Sequence, residues 1–172
     1  MLESLVGSLS RLNQDSSDDK QGIFNILSII ENMISVAPSI ADKVGSGTWL
    51  LSWCVTRIQA QEFDSIQQYV AEVLAILIQE SQGNRLKFLK DSGIDALLVV
   101  LARYKSYDPK SDDEIEMMEN LFNILCALLA EKEAKSAFFE SEGIELMLLI
   151  LKYIFIIKTK GKRKWRGFVP LK

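Results

Sequence analysis

Two segments of this chain, KFLKDSGIDALL at residues 87–98 and AFFESEGIELML at residues 137–148, share one pattern at a spacing of 50 residues. In each segment two apolar residues are followed by three polar residues, then by Gly-Ile-acid and an aliphatic run. A repeat of this length is one supersecondary unit that stacks on its neighbours, and roughly three units give a stable core. The repeat therefore predicts a fold built from stacked units.

The longest apolar segments repeat as well. Residues 23–27 (IFNIL), 73–77 (VLAIL) and 121–125 (LFNIL) align at spacings of 50 and 48 residues. Their apolar positions recur with the period of a helix and not with the period of a strand. We predict an all-α fold, a superhelix (α-solenoid) of about three helical repeats that is incomplete at both ends. Each repeat contains a short, a medium and a long helix.

Local signals set the expected helix bounds. Pro38 cannot continue a helix, Gly83 indicates a break, and Ser111 with Glu114 has the spacing of a capping box. We predict helices at residues 2–12, 22–36, 39–44, 49–60, 65–79, 84–90, 94–104, 112–131, 133–140 and 143–157.

The charge of the chain is divided between two regions. From residue 158 onward there are seven Lys or Arg residues and no acid, whereas residues 1–157 carry 13 basic and 23 acidic side chains, a net charge of −10. We predict a repeat domain at residues 1–157 and a disordered basic tail at residues 158–172. The tail could be an import signal, a contact to RNA or anionic lipid, or a splicing by-product without a role. It could also occupy a groove on the acidic domain.

The composition excludes several kinds of catalysis. The sequence has no histidine, which removes Ser-His-Asp and Cys-His mechanisms and histidine-ligated metals. It has neither a phosphate-binding loop nor a nucleophile elbow. We therefore predict that the protein is not an enzyme and needs no cofactor, metal or small-molecule substrate. Cys54 and Cys126 lie in apolar helical patterns and are predicted to be buried free thiols.

Residues 30–33, 72–77, 93–95, 116–122 and 142–147 carry a resemblance to a known family. The order of short helix, Gly-Ile-acid turn, aliphatic helix and long helix resembles the armadillo repeat. These segments further resemble the β-catenin-like nuclear armadillo proteins, over about residues 1–151. That family is associated with the nineteen complex of the spliceosome.

The resemblance implies an armadillo-like, nuclear, protein-binding scaffold in pre-mRNA splicing. Its expected partners are splicing factors of the nineteen complex with basic, nuclear-localisation-like segments, such as the cell-division-cycle-five-like factor. We expect no direct nucleic-acid binding. The family's N-terminal import region is not seen, and the sequence after residue 151 matches nothing expected there; a truncated or alternatively spliced product would explain both. The alternative is a cytosolic armadillo adaptor or import-receptor-like carrier.

In armadillo stacks the third, longest helices line the concave surface, so the resemblance places the partner groove on their polar faces. Asparagine can bond to an extended peptide backbone, and glutamate attracts Lys and Arg. A solvated helix face would explain each residue alone, but the recurrence on three helices of an acidic domain favours a groove. The predicted groove residues are Asn25, Glu31, Asn32, Glu72, Gln79, Glu80, Glu116, Glu119, Asn120 and Asn123.

Three further features have a structural and a functional interpretation. The acids at 112–114 could suggest a metal site, but complementing the helix dipole is the favoured role. Trp49 and Trp53 could form an aromatic ledge for a partner, although packing between repeats is favoured. Residues 146–157 are too few to cross a membrane, and they include the charged Lys152. Apolar surface at uncapped repeat ends predicts marginal stability and self-association.

Overall fold

The computed structural model describes residues 2–13 and 16–159. These residues form ten α-helices and no strand, which confirms the predicted all-α class. The helices are α1 (Leu2–Leu9), α2 (Ser17–Val36), α3 (Ala41–Gly45), α4 (Leu50–Ile58), α5 (Ser65–Glu80), α6 (Gln82–Lys90), α7 (Gly93–Leu101), α8 (Asp112–Leu128), α9 (Lys132–Glu140) and α10 (Gly143–Thr159). Short 3₁₀ turns lie at Pro38–Ile40 and Ala102–Lys105.

The described helices form the predicted triplets of two shorter helices and one long helix, although α6 and α7 are equal at 9 residues each. Helices α3, α4 and α5 form one triplet, and α6, α7 and α8 form the next. A medium and a long helix, α1 and α2, precede these triplets, and α9 and α10 follow them. The long helix α5 packs against both α2 and α8, so the three long helices are consecutive neighbours. This is the arrangement of an armadillo-like solenoid.

Side-chain caps move several helix starts away from their predicted positions. The Ser16 hydroxyl accepts a hydrogen bond from the Asp19 N–H, so α2 begins at Ser17 and not at residue 22. Ser81 caps α6 in the same way, through the N–H of Asn84, so this helix includes Gly83, which was predicted to break the chain. The predicted Ser111 cap of α8 is confirmed, with the Glu114 N–H as donor.

The Gly-Ile turn that recurs in the sequence has a steric cause. A Cβ on Gly93 would overlap the Phe88 ring, and a Cβ on Gly143 would overlap the ring of Phe138. In both units the residue before the glycine has a positive φ, 59° at Ser92 and 55° at Glu142. The glycine therefore lets the second helix of each unit begin directly against the phenylalanine of the first.

A continuous apolar core runs through the stack, and buried polar groups connect its units. The Asn84 side chain is fully buried; it donates to the carbonyls of Ala41 and Leu77 at 2.9 Å each and accepts from the Ser46 N–H at 2.7 Å. One side chain thus joins α6 to α5 and to the two ends of α3. An ion pair between Arg57 and Asp64 stabilises the connection from α4 to α5.

The predicted burial of both cysteines is wrong for Cys126, and the two tryptophans differ in exposure. Cys54 is buried, but Cys126 is exposed, because it lies about 200° around α8 from the buried Ile124 and from Leu128. Trp53 packs against the core, whereas Trp49 is 37 % exposed, because it precedes the first turn of α4 and lies outside its buried stripe.

Within the described residues, the helices are too short or too polar to cross a bilayer. Helix α10 extends to Thr159, two residues past its predicted end. The predicted disorder of the basic tail otherwise concerns residues 160–172, which lie outside the described residues.

Candidate partner-binding face

The predicted groove residues lie on the three long helices α2, α5 and α8. They are at least partly accessible: Asn25, Asn32, Gln79, Glu80, Glu116 and Glu119 are exposed, and Glu31, Glu72, Asn120 and Asn123 are half-buried. The periodicity of the sequence therefore identified positions outside the core, but their mutual contacts depend on how the helices pack.

Glu72 on α5 lies within electrostatic range of a glutamate on each neighbouring long helix. Burial raises the pKa of Glu72 on α5, and the negative charges of Glu31 on α2 and Glu116 on α8 raise it further. Since like charges disfavour ionisation only at close range, these carboxylates belong to one surface. We call the surface formed by Glu31, Glu72 and Glu116 the acidic face.

Tyr69 belongs to the same surface and was not predicted. Its hydroxyl donates a 2.6 Å hydrogen bond to Glu31 Oε2, and its ring stacks on Phe24 with centroids 5.7 Å apart. Burial and the bond to Glu31 raise the pKa of Tyr69 to about 12, so the phenol stays protonated as a donor. Tyr69 holds Glu31 in place between α2 and α5. The available signal was its position three residues before Glu72, on the same side of α5.

The predicted amides are not all free for a partner. Asn32 donates to the Ser28 carbonyl at 2.7 Å, and the Asn25 oxygen accepts from Gln21 at 3.0 Å. Both amides are therefore engaged with their own helix. Seven other predicted residues form no side-chain hydrogen bond with the described part of the chain: Glu72, Gln79, Glu80, Glu116, Glu119, Asn120 and Asn123.

The acids at the start of α8 have two different surroundings. Asp112 and Asp113 are exposed in the first turn, as expected for charges that complement the helix dipole. Glu114 is buried and accepts the Lys110 N–H at 2.7 Å. In residues 2–13 and 16–159 no three Asp, Glu, Cys or His side chains converge on a point that could hold a metal ion.

Comparisons with known proteins agree with this architecture. A family model described as catenin-beta-like, Arm-motif containing nuclear matches residues 1–163, which extends past residue 151, where the resemblance was expected to end. A beta-catenin-like protein 1 homolog from Schizosaccharomyces pombe is 35 % identical over 167 residues, covering 96 % of this chain and 28 % of the relative.

Mammalian relatives are similar to the same extent. Beta-catenin-like protein 1 of Homo sapiens is 38 % identical over 149 residues, or 86 % of this chain and 26 % of the relative. The protein of that name from Mus musculus has the same identity and coverage. The chain thus spans about a quarter of the length of the curated relatives it matches.

Proposed function

Because the chain belongs to the catenin-β-like family of nuclear armadillo-motif proteins, we propose that it is a non-enzymatic scaffold in pre-mRNA splicing that holds basic partner segments on the acidic face. The expected location is the nucleus. The resemblance of the sequence to splicing-associated armadillo proteins supports splicing factors of the nineteen complex as the partners.

The single observation that carries the proposal is the placement of Glu31, Glu72 and Glu116 on the adjoining helices α2, α5 and α8. Burial raises the pKa of Glu72, and the nearby charges of Glu31 and Glu116 raise it further. A Lys or Arg side chain placed among them would replace repulsion with attraction. Residues 1–157 carry a net charge of −10, which would also attract a basic segment from a distance.

Tyr69 strengthens the proposal because it limits the movement of one of the three acids. A carboxylate fixed by a 2.6 Å hydrogen bond loses less side-chain entropy when it pairs with a cation. The half-buried positions of Glu31 and Glu72 also reduce screening by salt. These are properties expected of a binding surface, beyond those of a solvated helix.

Fluorescence anisotropy would test the proposal with a labelled Lys/Arg-rich peptide and a matched peptide in which Gln replaces the basic residues. We expect the full chain to bind only the basic peptide, more weakly at high ionic strength, and Glu72→Gln to weaken binding about three- to tenfold. Glu133→Gln is the matched control, since Glu133 is exposed on α9. Equal affinity of the two variants would contradict the proposed face.

A pull-down from nuclear extract addresses the partners. Recovery of splicing factors that is lost with Glu72→Gln would support the scaffold function. Recovery of transport or cytoskeletal proteins in their place would favour the adaptor or carrier function and overturn the splicing proposal.

A further inference from the structure

A cavity of about 390 Å³ lies at the N-terminal ends of α5 and α8. Its wall includes Phe63, Gln67, Tyr104, Tyr107, Glu114 and Met117. This volume is within the range of cavities that hold small organic groups. The lining combines aromatic rings and a thioether with two oxygen-bearing side chains whose bonding is incomplete.

Glu114 supplies a negative charge to the cavity. Its side chain is 8 % exposed, accepts the Lys110 N–H at 2.7 Å and accepts the Tyr107 hydroxyl at 3.3 Å. Within the described chain it forms no ion pair. A buried carboxylate is stabilised most by a paired cation, and no described Lys or Arg lies within ion-pair distance of Glu114.

Gln67 supplies an acceptor on the same wall. The residue is fully buried, and its side-chain N–H groups donate to the carbonyls of Ile58 at 2.6 Å and Ala60 at 3.0 Å. These two bonds fix the orientation of the amide. The remaining atom, Oε1, has no hydrogen-bond partner among the described residues. A buried carbonyl of this kind requires a donor.

The aromatic lining is also suited to a cation. Burial, followed by the charge of Glu114, raises the pKa of both Tyr104 and Tyr107, so both rings stay neutral. The Lys110 ammonium already lies 5.5 Å from the centroid of the Tyr107 ring, which shows that this ring accepts a positive group.

Arg103 is the basic residue of the lining, and its guanidinium is engaged elsewhere. It donates to the carbonyls of Ala60 and Gln59, at 2.8 Å each, where α4 ends. Its guanidinium is therefore held at the end of α4, although its charge still acts on Tyr104, and the acceptors of the cavity stay available.

We infer that this cavity holds the cationic end of a Lys or Arg side chain from the basic segment that the acidic face holds, an inference that rests on the proposed function. Gln67 precedes Glu72 by five residues, about 7.5 Å along α5. Glu114 precedes Glu116 by two residues, about 200° around α8, so the cavity opens at the N-terminal ends of α5 and α8 and not on the acidic face itself. A basic segment that continues from the acidic face past these helix ends would place one side chain in the cavity.

Methyl NMR of the full chain, with ¹³C-labelled methionine, gives a direct readout. Met117 lines the cavity, and Met33 on α2 serves as an internal reference. The probes are n-butylguanidinium and its neutral, nearly isosteric counterpart n-butylurea. We expect n-butylguanidinium to shift the Met117 signal without shifting Met33, and n-butylurea to shift neither.

Two variants separate the cavity from general charge effects. Glu114→Gln keeps an acceptor for the Lys110 N–H but removes the charge, and we expect it to weaken n-butylguanidinium binding about tenfold. Asp113→Asn removes an exposed charge from the same turn and should change binding less than about twofold. An equal Met117 shift with both probes, an equal loss in both variants, or no shift at all would overturn the inference.

The basic peptide separates this inference from the proposed function. Peptide binding that depends on Glu72 and shifts Met117 supports both. Binding that depends on Glu72 but leaves Met117 unmoved overturns the cavity inference alone. A peptide that does not bind contradicts the proposed function, and the n-butylguanidinium titration then still decides whether the cavity accepts a cation.

Discussion

Replacing Asn84 with Ala should destabilise the whole stack, because this side chain joins α3, α5 and α6. The substitution removes two buried hydrogen bonds and one part-buried hydrogen bond, of 2.7 to 2.9 Å, and leaves two carbonyls and one N–H to find new partners. A net loss of about 1 kcal/mol for each bond, plus part of the cost of unsatisfied buried groups, gives about 3–5 kcal/mol. Asn84→Asp should cost as much or more, since it places a carboxylate against two carbonyl oxygens.

Urea unfolding followed by circular dichroism measures this effect. With a slope of about 2 kcal/mol per molar urea, the Asn84→Ala midpoint should fall by about 2 M. Lys90→Ala is the control, since Lys90 is an exposed residue of α6, and its midpoint should move by less than about 0.3 M. If Asn84→Ala costs less than about 1 kcal/mol, the three groups have found other partners and Asn84 does not connect the units.

Three further predictions concern separate parts of the molecule. Because the pKa of Glu72 is raised in the folded chain, ionisation of Glu72 lowers the stability of the fold as pH rises through that pKa. Glu72→Gln should therefore stabilise the protein more at pH 7 than at pH 4. Urea unfolding at the two pH values would measure this difference. Gly143→Ala forces a methyl group into the Phe138 ring and should cost about 1–3 kcal/mol, measured by thermal unfolding. A thiol reagent should modify Cys126 in the native protein and reach Cys54 only after denaturation. Cys54 is fully buried, and burial raises the pKa of its thiol. Rapid modification of both cysteines would contradict the buried position of Cys54.

The fold was predictable because its repeat is visible in the residues themselves. The Gly-Ile turns and the recurring IFNIL-like segments identified three-helix units. The polar positions of the long helices predicted which side of each helix faces outward. The ends of the helices were less predictable. Whether residues 17–21 are turn or helix depends on the Ser16 cap, which several polar residues nearby could have provided.

The acidic face was predictable in part. Glu31, Glu72 and Glu116 are on the polar sides of repeated helices, so their exposure follows from the periodicity. The roles of Tyr69 and Gln67 do not follow from it, since both depend on groups from other elements. The predicted burial of Cys126 was wrong because the apolar residues around it in sequence extend over more of the surface of α8 than the neighbouring helices cover.

The position of α5 between α2 and α8 has a consequence for local unfolding. Helix α5 buries nine of its residues, whereas α9 buries only Ala134. Amide protons of α5 should therefore exchange with solvent most slowly, and those of α1 and α9 should exchange first. A ligand that contacts α2, α5 and α8 at once would make local unfolding of the outer units depend on the slower unfolding of α5. Binding on the acidic face should then be detectable as slower exchange in helices that the ligand never touches.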